Sequence, residues 1–203
     1  MDNFDVQFEK SMMARYLIHV LGDIHQPLHA TSLFDDNKFK NGDQGGNLFL
    51  IKFQDGIDNL HKLFDSGAGV LKDTLKRPLN KADHQYLEDT AREIMAEFDP
   101  KDLPELKNSD FSDWAQESHD ISQHFVYPGI TYEGTPSQEY LDTAYKIIKR
   151  RIALGGYRLA EIFKAVKKAY EKPVAWEEPI HEDHTGEKKG KSERKNLIQY
   201  FLR

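Results

Sequence analysis

The 203 residues predict a mainly α-helical domain with one short extended, hairpin-like insert and a disordered C-terminal tail. Three observations carry that expectation. Apolar residues recur at spacings of three and four over several long stretches, the period of a helix that buries one face. One stretch, NLFLIKF at 47–53, reads as extended chain instead. From Glu171 onward the sequence turns to mixed charge with two prolines and few aliphatic residues, too little apolar area to offset the entropy of ordering a chain.

The first helix is expected over 4–25, where Met13, Tyr16, Leu17, Val20, Leu21 and Ile24 keep the period. Pro27 ends or kinks it. Residues 30–46 are rich in turn formers, among them Asp35, Asp36, Asn37, Asn41, Gly42, Gly45 and Gly46. After the extended stretch, 58–65 fits a short helix and 81–97 a longer one, and the proline-containing run DPKDLPELKNSD breaks the pattern. Residues 110–126 form an amphipathic stretch around Trp114. The last helix is expected from 137 to about 170, with Tyr140, Leu141, Ala144, Ile147, Ile148, Ile152, Tyr157, Leu159, Ile162 and Phe163 suited to burial on one side. Gly155 and Gly156 lower its helix propensity, and a close crossing with another helix accounts for them. Residues 1–170 then make one domain, and 171–203 a tail that carries His181 and His184 as solvated spacers.

Composition narrows the chemistry. The net charge of −6 argues against a protein that grips nucleic acid by bulk electrostatics. It leaves open one that holds phosphate through bound cations, which reverse the local sign of charge. With no cysteine there are no disulfides and no thiolate ligands, so any zinc must use His and Asp. No run of 18 apolar residues exists, and no transmembrane helix is expected. The opening MDNFDVQFEK is polar and acidic, unlike a signal peptide.

Three of the nine histidines fall in HVLGDIHQPLHA, residues 19–30. His19 and Asp23 are four apart and share one helix face. His29 follows beyond Pro27, where the chain has turned. His25 lies on a different face from Asp23 and is expected to orient a neighbour through a hydrogen bond. In NLHKLFDSG, residues 59–67, His61 and Asp65 are again four apart. An imidazole plus a carboxylate suits a divalent ion. The same pairs also serve as hydrogen-bonded pairs that stabilise their helices, and the pattern alone leaves both readings open.

HVLGDIHQPLH, GGN, NLHKLFDSG, WAQES and RIALGGYRLAEIF, in that order along the chain, resemble the zinc-dependent single-strand nucleases and 3'-nucleotidases of the S1/P1 type. The resemblance implies a helical fold of the phospholipase C/nuclease type with three zinc ions in one cleft. It implies that His29, His61 and Asp65 hold one zinc, and that His19 and Asp23 belong to a paired zinc site in which Asp23 bridges two ions and takes part in catalysis. Asn47 would contact the scissile phosphate, with Gly45 and Gly46 letting the backbone approach the substrate. Trp114, Glu117 and Ser118 would be structural. The substrates implied are single-stranded DNA or RNA and 3'-nucleotides, cleaved to leave 5'-phosphates; unstacked bases favour single strands.

The family also uses an N-terminal tryptophan, a histidine soon after it, and a later aspartate, lysine and histidine that have no counterpart here. Those elements are expected upstream of Met1, so that the chain resembles the C-terminal two-thirds of such an enzyme. One zinc site is then complete, and a chain that binds one zinc and cleaves weakly or not at all is expected. The competing expectations are a zinc-dependent phospholipase C-like phosphodiesterase and a non-catalytic metal- or phosphate-binding helical module. The resemblance further implies a secreted or acidic lumenal compartment. A monomer without a protein partner is expected.

Overall fold

The structure, a computed structural model, describes residues 3–170 except 73, 74 and 76. The chain divides into two compact units, Met1–Leu159 and Ala160–Arg203. Every site residue discussed below lies in the first. The described part of the second is the end of the last helix, where Lys164 pairs with Glu161 at 2.7 Å. The expected tail at 171–203, with His181 and His184, lies outside the described residues.

Helix α1 spans Asn3–His25. It stops where Pro27 forces its neighbour out of the helical region; Gln26 is extended, with φ −83° and ψ 119°. Pro27 then opens a 3-10 turn, Pro27–Ala30, at the position where a missing N–H costs nothing. The turn-rich loop that follows is pinned by Asp43, which is fully buried. Its carboxylate accepts from the Leu33 amide at 2.9 Å, the Ser32 hydroxyl at 3.3 Å and the Tyr127 hydroxyl at 2.8 Å. Burial and the Asp43 charge push the Tyr127 hydroxyl well above its ordinary pKa, so it remains a donor.

The extended stretch forms a hairpin-like insert. The Ile51 amide donates to Asp58 O at 2.9 Å and the Leu60 amide to Phe49 O at 3.0 Å. On the other edge Glu133 N donates to Leu50 O, and Lys52 N to Gly134 O, both at 2.8 Å. Among the described residues this pairing stays at one isolated bridge, Leu50 with Asn59; a second, Asp35 with Phe39, lies in the preceding loop. Side chains alternate as extended chain requires: Phe49 and Ile51 are buried, Leu48 and Leu50 exposed.

Helix α2 spans Leu60–Asp65 and is capped by Asn59, whose side chain accepts from Lys62 N. Helix α3 covers Lys81–Glu97, capped by Asn80, as the periodicity predicts. The proline-containing break contains two 3-10 turns, Pro100–Asp102 and Pro104–Lys107. The amphipathic stretch 110–126 is not one regular helix. Helix α4 runs Phe111–Ile121 with Asp110 as its cap, and Ser122–Val126 widens into a π turn. Helix α5 spans Gln138–Tyr170.

The main core gathers Leu28, Phe49, Leu60, Phe64, Val126 and Tyr140 from these elements. A smaller cluster joins Ile94, Phe98 and Leu103 to Ala153 and Leu154 of α5. Two expectations need correction. The stripe read as the buried face of the first helix is largely exposed: Met13, Tyr16 and Val20 are 47%, 63% and 40% accessible, and Leu21 alone of the six is buried. Among the residues of α1 whose burial is described, the fully buried ones are Leu21 and His25, at its C-terminal end. Likewise Ile152, expected inside, is exposed and faces the cleft described next. Among the described residues no helix is long and apolar enough to cross a membrane.

Candidate metal centre

Three short pieces of chain bring donor atoms together. The 3-10 turn presents His29, whose amide donates to Gln26 O at 3.1 Å. Helix α2 presents His61 and Asp65 one turn apart, with Nε2 and Oδ2 separated by 3.5 Å. The His29 and His61 rings lie 4.9 Å apart, centroid to centroid. One ligand atom from each of His29, His61 and Asp65 falls within 4.8 Å of the others. Two imidazoles and a carboxylate meeting at that spacing fit a tetrahedral divalent ion with one open position.

The loop after Ala30 fixes the tautomer of His61. Its Nδ1 donates to Gly45 O at 2.7 Å, which places the proton on Nδ1 and leaves the Nε2 lone pair for a ligand. Glycine is required where this loop closes in. Gly45 and Gly46 have φ of +63° and +83°, where a side chain is strained. A Cβ on Gly45 would lie 2.4 Å from Leu28 O, and one on Gly46 would lie 3.1 Å from His61 N. The close approach seen here is to the scaffold of His29 and His61. Asn47 follows on the surface, its amide donating to Gln44 O at 2.8 Å.

His19 and Asp23 form their own pair, Nε2 to Oδ2 at 3.3 Å, with His19 73% exposed. Asp23 lines a cleft of about 430 Å³ together with Gln26, His29, Asp65 and Ile152, and His19 is not among its lining residues. Of the five residues the sequence singles out as ligands, three converge, a fourth faces the same hollow, and the fifth stands on the exposed side of α1.

Behind the cleft, a buried ionic cluster holds the segment 24–30 in place. Glu117 of α4 accepts from Arg151 Nη1 at 2.6 Å and from Arg158 Nη2 at 2.7 Å. Arg158 Nη1 also donates to His25 Nε2 at 2.9 Å, while His25 Nδ1 donates to Leu21 O at 2.8 Å. A guanidinium only donates, so His25 is neutral with its proton on Nδ1. Burial drives its pKa down to about 4 despite the bond to Leu21. Burial alone raises the Glu117 carboxyl, but the hydrogen bonds from Arg158 and Arg151 outweigh it and hold the group below its ordinary value. The Arg158 guanidinium lies 4.6 Å from the Trp114 ring centre and Arg151 Nη2 donates to Ser118 Oγ at 2.8 Å, so the expected hydrogen-bonding role of His25 and the structural roles of Trp114, Glu117 and Ser118 match these contacts.

Four carbonyls around the end of α1 find side-chain donors. Ser118 Oγ donates to Ile24 O at 2.6 Å, Arg151 Nε to His25 O at 3.0 Å, Ser122 Oγ to Pro27 O at 2.7 Å and His119 Nδ1 to Ala30 O at 3.2 Å. The turn that carries His29 is therefore clamped from α4 and α5. Gly155 belongs to this packing, since a Cβ there would sit 3.3 Å from the His25 ring, whereas Gly156 faces open space. The expected close crossing therefore holds for Gly155 alone. Sequence reasoning missed Gln26, Arg151, Arg158, His119 and Ser122. The seven-residue spacing of the two arginines, with Gly155 between them, was the available signal for one shared face of α5.

A family model described as S1/P1 Nuclease matches residues 2–168 of the chain. Among curated relatives, Endonuclease 5 of Arabidopsis thaliana is 27% identical over 151 residues, 71% of this chain and 47% of that protein. Endonuclease 1 of the same plant is 27% identical over 175 residues, 80% and 52% of the two chains. Nuclease S1 of Aspergillus oryzae is 24% identical over 162 residues, 72% and 51%. The chain spans about half the length of the curated relatives it matches.

Proposed function

The chain belongs to the S1/P1 nuclease family, and from that membership and the donor set of its cleft we propose that it serves a zinc-dependent hydrolase of single-stranded nucleic acid. The observation that carries this reading is the convergence of His29, His61 and Asp65. In that reading these three residues hold a zinc ion through His29, His61 Nε2 and Asp65. When bound, the ion supplies Lewis-acid stabilisation of charge on a phosphodiester.

The remaining roles belong to the chain's own side chains. Gly45 O holds the His61 ring so that its free nitrogen lies toward Asp65, beside the His29 ring. Asp23, on the cleft wall, and its neighbour His19 contribute to a second metal position, and Asp23 also to catalysis. Asn47 is exposed beside the Gly45–Gly46 turn, free to donate to a phosphate oxygen if its amide leaves Gln44 O. The products are 5'-phosphates, and 3'-nucleotides are further substrates. The protein acts as a monomer in a secreted or acidic lumenal compartment. Residues 1–170 form the nuclease-like domain.

The test is a hydrolysis panel on the purified protein with and without added Zn2+. Single-stranded DNA, single-stranded RNA, duplex DNA, a 3'-nucleotide and phosphatidylcholine are offered as substrates. Zinc-dependent cleavage confined to single strands and 3'-nucleotides supports the reading. Cleavage of phosphatidylcholine instead assigns the site to lipid. Zinc binding without cleavage of any substrate counts against hydrolysis by this chain alone and favours the non-catalytic metal-binding module.

A further inference from the structure

Gln26 joins, through one side chain, the two elements that carry the metal ligands. Its Oε1 accepts from the Leu28 amide at 2.5 Å, capping the 3-10 turn that presents His29. Its Nε2 donates to Asp65 Oδ1 at 3.0 Å, reaching helix α2 across 39 residues of sequence. The orientation of the amide follows from the partners. Reversed, it would set its oxygen against a carboxylate and its NH2 against an N–H.

Asp65 is thereby divided between two tasks. Its Oδ1 is held by Gln26, while its Oδ2 turns toward His61 Nε2 at 3.5 Å. We propose that Gln26 is a positioning residue for the metal centre: its side-chain amide holds Asp65 so that a single oxygen, Oδ2, is offered to the ion beside His29 and His61. The inference rests on the metal reading above. A freely turning aspartate that is 51% exposed would otherwise lose rotamer freedom on each binding event. Partners one bond removed from a metal typically change its affinity by about 10–100-fold.

The two arms of Gln26 are separable. Asn and Ser are good N-caps but are too short to reach Asp65, so Gln26→Asn and Gln26→Ser keep the turn and lose the carboxylate contact. Zinc affinity is measured on the full chain by competition with a chromophoric chelator. Visible absorption of the Co2+-substituted protein reports ligand geometry, and thermal unfolding of the metal-free protein reports the cap. Both variants are expected to melt with the parent, to bind zinc about tenfold or more weakly, and to show an altered cobalt spectrum. Parent-like affinity and spectrum in both variants would overturn the inference while leaving the metal reading intact. A parent that binds no zinc, or a His61→Ala variant that binds as tightly as the parent, overturns the metal reading and the inference with it. Loss of melting temperature in both variants that accounts in full for the weaker binding reduces Gln26 to a cap and also overturns the inference.

Discussion

At the scale of single residues, the convergence of His29, His61 and Asp65 was legible from one local spacing and the family resemblance together. His61 and Asp65 are one helical turn apart, and the resemblance assigned His29, beyond Pro27, to them. The partners that orient those ligands were not legible. The acceptor for His61 Nδ1 is a backbone carbonyl, Gly45 O, and a carbonyl has no residue type to read. Gly45 itself shows the consequence. Gly45→Ala would force a left-handed backbone and set a methyl 2.4 Å from Leu28 O. It should cost about 1–3 kcal/mol of stability, read by urea unfolding, and weaken zinc binding by moving the carbonyl that holds His61. A Gly45→Ala protein with parental stability and affinity would show that the loop does not brace the site.

At the scale of elements, helices were placed well and their burial less well. The bounds of α3 follow directly from its period and its Asn80 cap. The π turn at Ser122–Val126 was hidden because its companion contact, Ser122 Oγ to Pro27 O, comes from 95 residues away. The same holds for the ion cluster that locks α1, α4 and α5. Breaking a buried pair strands a charge and typically costs about 3–5 kcal/mol. Arg151→Met leaves Glu117 with one guanidinium and the His25 carbonyl without its donor, so a loss of that order is expected by chemical denaturation. A loss under about 1 kcal/mol, the range of exposed pairs, would mean that the cluster does not hold the turn.

Acid should attack the same cluster. Glu117 faces Arg151 and Arg158 of α5 and, beyond Arg158, His25 of α1. Its carboxyl titrates lower folded than unfolded. Its contribution is therefore complete above the ordinary value of 4.5 and is lost as pH falls through the lower folded value. Unfolding free energy of the metal-free protein, followed by fluorescence of Trp114 and Trp176, is expected to fall from about pH 6.5, where His25 takes up a proton only in the unfolded chain, and further below pH 4.5 as the Glu117 contribution is lost. In Glu117→Gln the carboxylate component of that slope disappears. A slope unchanged by the substitution would assign acid sensitivity to other groups.

At the scale of the whole molecule, the exposed face of α1 is the feature that the period alone could not interpret. Spacing shows that Met13, Tyr16 and Val20 share a side with Phe8 and Met12, but not whether that side is covered, and all five are exposed. Contiguous apolar surface of this kind promotes association. At protein concentrations high enough for the parent monomer to associate, the double variant Phe8→Lys, Tyr16→Glu is expected to self-associate less by analytical ultracentrifugation, with an unchanged melting temperature. Equal association of the two proteins would show that this face does not govern it. The fold class itself was readable from helical periods and one extended stretch. The depth of each helix depends on what lies against it, which a period does not encode.

Every functional statement depends on zinc sitting among His29, His61 and Asp65. The most direct test is a crystal of the zinc-loaded protein measured across the zinc absorption edge. An anomalous peak is expected at about 2.0–2.2 Å from an imidazole nitrogen of each histidine and from an Asp65 oxygen. A peak elsewhere on the molecule, or none at this cluster in crystals grown with excess zinc, would contradict the account.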